Sequence, residues 1–490
     1  MTLIPPSAEF LVQLFILLSA AIVAGEIAGR LGFVPLVGQL LVGIVLGPTL
    51  LGPYIDLATI TPELTGIQFL ATFFIMFMAG LNVDPNEISR MQAPTAIVGV
   101  AIFAIPFGIG AGVVAWVEPG YPATTDLFAA LTLAITALPV LGIMVSEFGL
   151  TGKRLGSFVM GAALVNELAA ITVFAILLQL TLSGRSDFYS VSVAILSVGL
   201  FLLAVLLVNQ VVRVIRGSAW WRRNPDRMAQ LWRSREAGFA ILMAMALGAA
   251  LYSQLLGLTF LVGAFFAGLL ITQTAGGTER PRTFVSTFSG DGRLITQATG
   301  SGEQQRAFLS IFSTMNWMFF IPLFFVLVGV EMNLTQLGGL VGLEACGILL
   351  VMAILTKIGT GTPLARRFGF SGSDSAAAGF LFSSRGAVGL ALAVLLLADK
   401  IFSEGLFTVI ALVGLLTTVI APLGALWVWR RTATGRADLA ERMPSLQQGR
   451  PLRLTPALDG PPAPPTDRPL ALRRSPSSPP GDGPNPPPPR

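Results

Sequence analysis

"LTLAITALPVLGIMV", residues 131 to 145, is apolar enough to lie in a membrane, yet it carries Thr136 and Pro139 near its middle. Proline at that depth removes a backbone donor and clashes with the carbonyl four residues back. A second stretch, "FLFSSRGAVGLAL" (380 to 392), has Ser383, Ser384 and Gly386 in the corresponding place. One reading of each is a simple kink satisfied by neighbouring helices. The other is a pair of interrupted helices whose freed backbone groups line a cavity, a pairing that in the two halves of a chain points to a transport site.

Composition supplies the setting. Of 490 residues, 53% are apolar and only 12% are charged, a balance that soluble domains do not show. Apolar stretches long enough to span a bilayer as helices fill nearly everything up to about residue 430, and the alternating pattern of a closed barrel is missing. The expected class is an all-α multi-pass membrane protein. The single cysteine, Cys346, excludes an intrachain disulfide and argues against a thiolate metal site. There is no histidine, so proton chemistry near neutral pH falls to carboxylates, lysine or tyrosine in altered surroundings. No cofactor is implied. The N-terminal apolar stretch lacks a basic n-region and a clear cleavage site, so it reads as a retained span.

Thirteen spans are expected, near 9–26, 34–51, 65–81, 94–116, 125–146, 155–181, 190–212, 237–255, 258–273, 307–329, 339–362, 375–397 and 405–428. Basic residues follow the odd-numbered spans: Arg30, Arg90, Lys153 with Arg154, the run from Arg213 to Arg235, the segment from Arg280 to Arg306, Arg366 with Arg367, and Arg430 with Arg431. Arg185 and Lys400 are the exceptions. The positive-inside rule then places the N-terminus outside and the C-terminus in the cytoplasm of a cell (inner) membrane. The arginine run needs no partner beyond anionic lipid, and no nucleic acid is implied. The expected exchanger unit is residues 1–431, with a polar cytoplasmic insertion at 274–306. Residues 432–490 form an expected disordered tail, since 16 of the chain's 33 prolines lie in its last 50 residues.

Ionisable residues inside spans are costly and therefore functional candidates. Glu167, in "AALVNELAAI" (162 to 171), lies at the centre of a span about 40 Å long. Lys357 sits two thirds of the way along its span, where its ammonium reaches the surface only with difficulty. Arg385 is mid-span and requires a carboxylate or carbonyl partner. Glu26, four residues before Arg30, suits a surface pair on one helix face. The first interrupted span runs from outside to inside and the second from inside to outside, so the two are inverted and form crossed, discontinuous helices of an inverted repeat.

Together with "LGFVPLVGQLLVGIVLGPTLLG" (31 to 52), "FFIMFMAGLNVD" (73 to 84), "GLTFLVGAFFAGLL" (257 to 270) and "FIPLFFVLVGVEMNL" (320 to 334), these stretches resemble the monovalent cation:proton antiporter superfamily. The match is to its branch of bacterial sodium/proton and potassium/proton exchangers and runs in order over residues 8 to 428. The resemblance implies that Asn166 and Glu167 stand at the ion-binding pair of the sixth span, with Thr136 beside them. It puts the helix breaks at Thr136, Ala137 and Pro139 and at Ser383, Ser384 and Gly386, and it makes Lys357 the family's eleventh-span lysine. Glutamate replaces the usual aspartate in this chain, and asparagine in the first position implies electroneutral, one-for-one exchange.

The chemistry also follows from Glu167 itself. Burial opposes a bare carboxylate, and a nearby cation such as Lys357 or Arg385 compensates its charge. The group holds a proton or a monovalent cation (sodium, potassium or lithium), not both. If only the neutralised forms cross between the two faces, each passage exchanges one for the other, with Thr136 and unwound carbonyls as further ligands. A sodium-coupled solute symporter would need a larger polar cavity, a channel a continuous polar path, and an intramembrane protease paired aspartates or histidines. A non-transporting cation sensor would bind without flux. "GIVLG" (43 to 47) and "GIGAG" (108 to 112) have the small-residue spacing of close helix packing, which suits a homodimer or the interior of one bundle.

Overall fold

The computed structural model describes residues 6–55, 60–82, 93–117, 119–150, 153–183, 188–217, 235–274, 312–337 and 340–432. Apart from their first residues, the insertion at 274–306 and the tail at 432–490 lie outside the described residues, as does most of the arginine run. The described residues are helical throughout, with no strand among them. Nine helical stretches among them are long and apolar enough to cross a membrane, and three shorter apolar helices accompany these. The count of thirteen spans stays an expectation.

Six helices form one bundle: α1 (Pro6–Arg30), α2 (Pro35–Leu46, followed by the one-turn α3, Gly52–Ile55), α4 (Pro62–Asn82), and further along the chain α10 (Arg235–Leu255), α11 (Phe260–Thr274) and α12 (Ile321–Glu331). Prolines at the starts of α2 and α4 suit helix N-termini, where the missing N–H would have had no partner. Glu26 and Arg30 form the expected i,i+4 pair at 2.9 Å on the exposed side of α1. Gly43 faces Gly329 of α12, and Gly80 of α4 and Gly268 of α11 each face the other helix's backbone. The "GIVLG" stretch is therefore spent inside this bundle, whereas Gly108 and Gly112 of "GIGAG" face open space.

The second bundle consists of two copies of one pattern: a helix, an interrupted helix and a helix. The first copy is α5 (Ala93–Val117), α6 and α7 (Ala123–Ala134 and Leu138–Glu147) and α8 (Arg154–Ser183). After α9 (Phe188–Gly217), which packs along α8, and the first bundle's later helices comes the second copy. It comprises α13 (Leu340–Arg367), α14 and α15 (Gly372–Phe382 and Ala387–Ala398) and α16 (Glu404–Arg431). Helices α14 and α16 begin on serines whose hydroxyls accept N–H bonds from the first turn, Ser371 from Asp374 at 3.1 Å and Ser403 from Leu406 at 3.2 Å.

Helix α5 packs along α13, joining the two copies, while α6 lies beside α15 and α7 beside α14. The first half of each interrupted helix thus meets the second half of the other, which requires that they run in opposite directions. The inverted, crossed arrangement expected from the two sequence breaks is the arrangement found.

The α4–α11 seam is close because both helices present glycine there. Gly80→Val is expected to push the helices apart and lower stability by about 1–3 kcal/mol or more, the usual cost of overpacking. Thermal unfolding in detergent is the check, and an unchanged midpoint would show that the seam is slack.

Candidate functional site

Residues 135–137 and 384–386 are not helical, so two helices stop and restart where they cross. The backbones meet directly, the Ala137 N–H donating to the Ser384 carbonyl at 3.1 Å. Gly386 is required there: a Cβ would lie 2.6 Å from that of Ala137 and 2.8 Å from Val140 Cγ2. Pro139 occupies the second position of α7, where a helix tolerates it.

A helix ending inside a protein leaves its last carbonyls without amide partners, and in the absence of water other donors must take them up. Five of the sequence-predicted polar side chains take part in this. Lys357, fully buried on α13, donates to the Ala134 carbonyl at 2.6 Å and to Thr136 Oγ1 at 2.8 Å. Arg385 donates to the Ile135 carbonyl at 2.6 Å. Asn166 bridges the break: its Oδ1 accepts from the Thr136 N–H at 2.7 Å and its Nδ2 donates to the Ala134 carbonyl at 3.2 Å. The Thr136 hydroxyl donates to the Phe382 carbonyl at 2.9 Å, tying the end of α6 to the end of α14. Ser383 Oγ bonds the Gly379 carbonyl at 3.2 Å, one turn back.

These cations sit where helix dipoles favour them, at the negative C-terminal ends. Lys357 and Arg385, expected to compensate the charge of Glu167, bond carbonyls, and neither lies within ion-pair distance of Glu167. The unwound carbonyls and hydroxyl expected as cation ligands are likewise engaged within the protein.

Glu167 stands apart. It is fully buried, and neither carboxylate oxygen has a hydrogen-bond partner. The Leu138 amide, at the positive N-terminal end of α7, acts on the carboxylate without meeting hydrogen-bond geometry. Ser384 Oγ and the Nε and second terminal nitrogen of Arg385 are the other unpartnered polar atoms at the crossing. Thr418, which the sequence reading passed over, donates to the Arg385 carbonyl at 2.9 Å and so closes the second break. A threonine pair, Thr417 and Thr418, inside an otherwise apolar helix was the available signal.

The comparisons with known proteins agree with this layout. The family described as "Sodium/hydrogen exchanger, transmembrane" matches residues 15–431. The chain is 26% identical over 419 residues to the Na(+)/H(+)-K(+) antiporter GerN of Bacillus cereus, covering 84% of this chain and 95% of that one. It is 24% identical to a Na(+)/H(+) antiporter of Enterococcus hirae, covering 85% and 97%. Among solved structures, the sodium proton antiporter MjNhaP1 from Methanocaldococcus jannaschii shares the fold, with a TM-score of 0.60 at 15% identity, over 89% of this chain and 99% of that one.

The site's two kinds of charge predict opposite effects on stability. Lys357→Met strands a buried carbonyl and hydroxyl and is expected to destabilise by about 2–4 kcal/mol, since bonds to charged groups are worth about 1.5–3 kcal/mol each. Glu167→Gln removes a carboxylate that bonds nothing and should leave thermal stability unchanged or raised. Unfolding midpoints of both variants, measured side by side, check the contrast; equal losses would contradict it.

Proposed function

The chain belongs to the sodium/hydrogen exchanger family, and from that premise we propose that it exchanges a monovalent cation for a proton by competition at Glu167. The supporting observation is that carboxylate's isolation: fully buried, both oxygens unpartnered, in a site whose cationic side chains bond carbonyls. A bare charge without water or a partner costs several kcal/mol, so the carboxylate is neutralised by whichever positive species arrives. A proton and a sodium, potassium or lithium ion compete for the same oxygens.

Movement follows from the same cost. The bundle carrying Glu167 passes between a state open to one face and a state open to the other only when the carboxylate is neutralised. Each passage one way with a cation is matched by one the other way with a proton. Lys357, Arg385 and Asn166 serve as positioning residues: they hold the crossing together so that the α7 N-terminus and Glu167 keep their relation while the bundle moves. Ser384 Oγ, unpartnered at the crossing, is a further oxygen available to a bound ion. With Asn166 neutral, one carboxylate charge cycles, and exchange is one-for-one and electroneutral.

The protein lies in the cell membrane with its N-terminus outside and its tail in the cytoplasm, as the arginine distribution supports. It works as a homodimer, associating through lipid-facing apolar surface. A sodium-coupled solute symporter or a cation sensor would share the buried carboxylate, but the small number of unpartnered polar atoms around Glu167 favours ions over organic solutes.

Reconstituted in liposomes with a trapped pH dye, the protein is expected to move protons on addition of sodium, potassium or lithium. The rate should saturate, ignore an imposed voltage, and fall to background in Glu167→Gln. Cation binding without proton movement would mark a sensor. Flux that requires an organic solute would mark a symporter.

A further inference from the structure

Between the two bundles lies a small cleft of about 30 Å³. Its walls come from the first bundle, including Leu36, Met78 and Phe325, and its floor from the restarts of both interrupted helices, Pro139 and Val140 of α7 and Ala387 of α15. Pro139 follows Leu138, whose amide faces Glu167. The cleft lies in the half of the molecule that carries Arg30 and Arg366, because Leu36 is near the start of α2 and Met78 near the end of α4.

This lining is apolar but for Asn316 and the indole of Trp317. Asn316 is only 2% exposed, and its Oδ1 has no hydrogen-bond partner. A buried amide oxygen without a partner is rare and calls for an explanation. It also sits on an irregular turn: residues 316–320 form a π-turn, closed by the Ile321 N–H onto the Asn316 carbonyl, just ahead of Pro322. Such turns disturb helix packing and gather at functional positions. The backbone oxygen of Asn316 is thus engaged, while its buried side-chain oxygen, on a residue that lines the cleft, has no partner.

We propose that Asn316 Oδ1 is a waypoint ligand for the monovalent cation, taking over part of its hydration shell in the cleft before it reaches Glu167. This rests on the exchange reading above and deepens it by adding a binding step on the path from the Arg30 and Arg366 face. A neutral oxygen suits such a step. It replaces a water of hydration, which a hard cation requires, without holding the ion as tightly as a carboxylate would. The apolar walls supply no competing ligand, so the ion leaves this oxygen only toward solvent or toward the crossing.

The test measures cation-driven proton movement in membrane vesicles, with the cation supplied at the Arg30 and Arg366 face, for wild type, Asn316→Ala, Asn316→Ser and Asn316→Asp. The Ala variant is expected to raise the cation KM about tenfold, the worth of one bond to a charged group, with the maximal rate kept within about twofold. The Ser variant, which keeps a smaller oxygen, should fall between Ala and wild type and stands in if Ala fails to fold. The Asp variant should lower KM below wild type, because a carboxylate attracts the cation more strongly. A merely structural Asn316 would make Ala and Asp alike in harm. Unmoved KM values, or an Asp variant as impaired as Ala, would overturn the assignment while leaving exchange at Glu167 standing. A silent wild type would overturn both.

Discussion

An interrupted helix in the middle of a membrane protein leaves carbonyl oxygens with no amide to receive, and other donors must take them up. Two such interruptions cross here, and satisfying their carbonyls determines which polar residues the interior must contain. The Ala134 carbonyl takes Lys357 and Asn166, the Ile135 carbonyl takes Arg385, Phe382 takes Thr136, Ser384 takes the Ala137 amide, and Arg385 takes Thr418. Residues from α8, α13 and α16 as well as from the broken helices themselves are drawn into one network. Gly386 is the steric counterpart of this requirement, because a side chain there would run into those of Ala137 and Val140.

Once the buried cations bond carbonyls, the carboxylate is left without a partner of its own. A direct Lys357–Glu167 pair would have been a stable arrangement, and a stable pair is a poor ion site: any arriving cation would first have to displace the lysine. Anchoring Lys357 on the Ala134 carbonyl and Thr136 instead leaves positive charge in the neighbourhood and both Glu167 oxygens open. The same division accounts for Asn166. An amide offers a donor and an acceptor at once, which the break between Ala134 and Thr136 needs and which a carboxylate cannot supply.

Much of this was legible in the sequence, for physical reasons that differ by element. Glu167, Lys357 and Arg385 stood out because charge inside an apolar span is costly, and Pro139 and Gly386 because few residues interrupt a helix there. What the sequence did not carry was pairing. Lys357 was expected to act on Glu167, since opposite charges invite pairing; the helix-end carbonyls that in fact hold it belong to the backbone and leave no mark in residue type. Thr418 was passed over because a threonine in a helix usually bonds its own preceding turn, as its contact with Gly414 also shows. Asn316 lay at the edge of an apolar run, where its burial in a cleft between bundles depends on folding that no local pattern encodes.

The glutamate at position 167 can be understood in these terms. Its extra methylene, relative to aspartate, carries the carboxylate over an ångström further from the α8 backbone. Asn166, on the same helix, already bridges the break near Thr136. The longer side chain moves the competing charge away from that bridge and toward the start of α7, where the Leu138 amide faces it. On the proposed reading, ion binding and helix-break repair are thereby divided between adjacent residues without sharing atoms. The exchange proposed at Glu167 would then leave the bonds that hold the crossing unbroken.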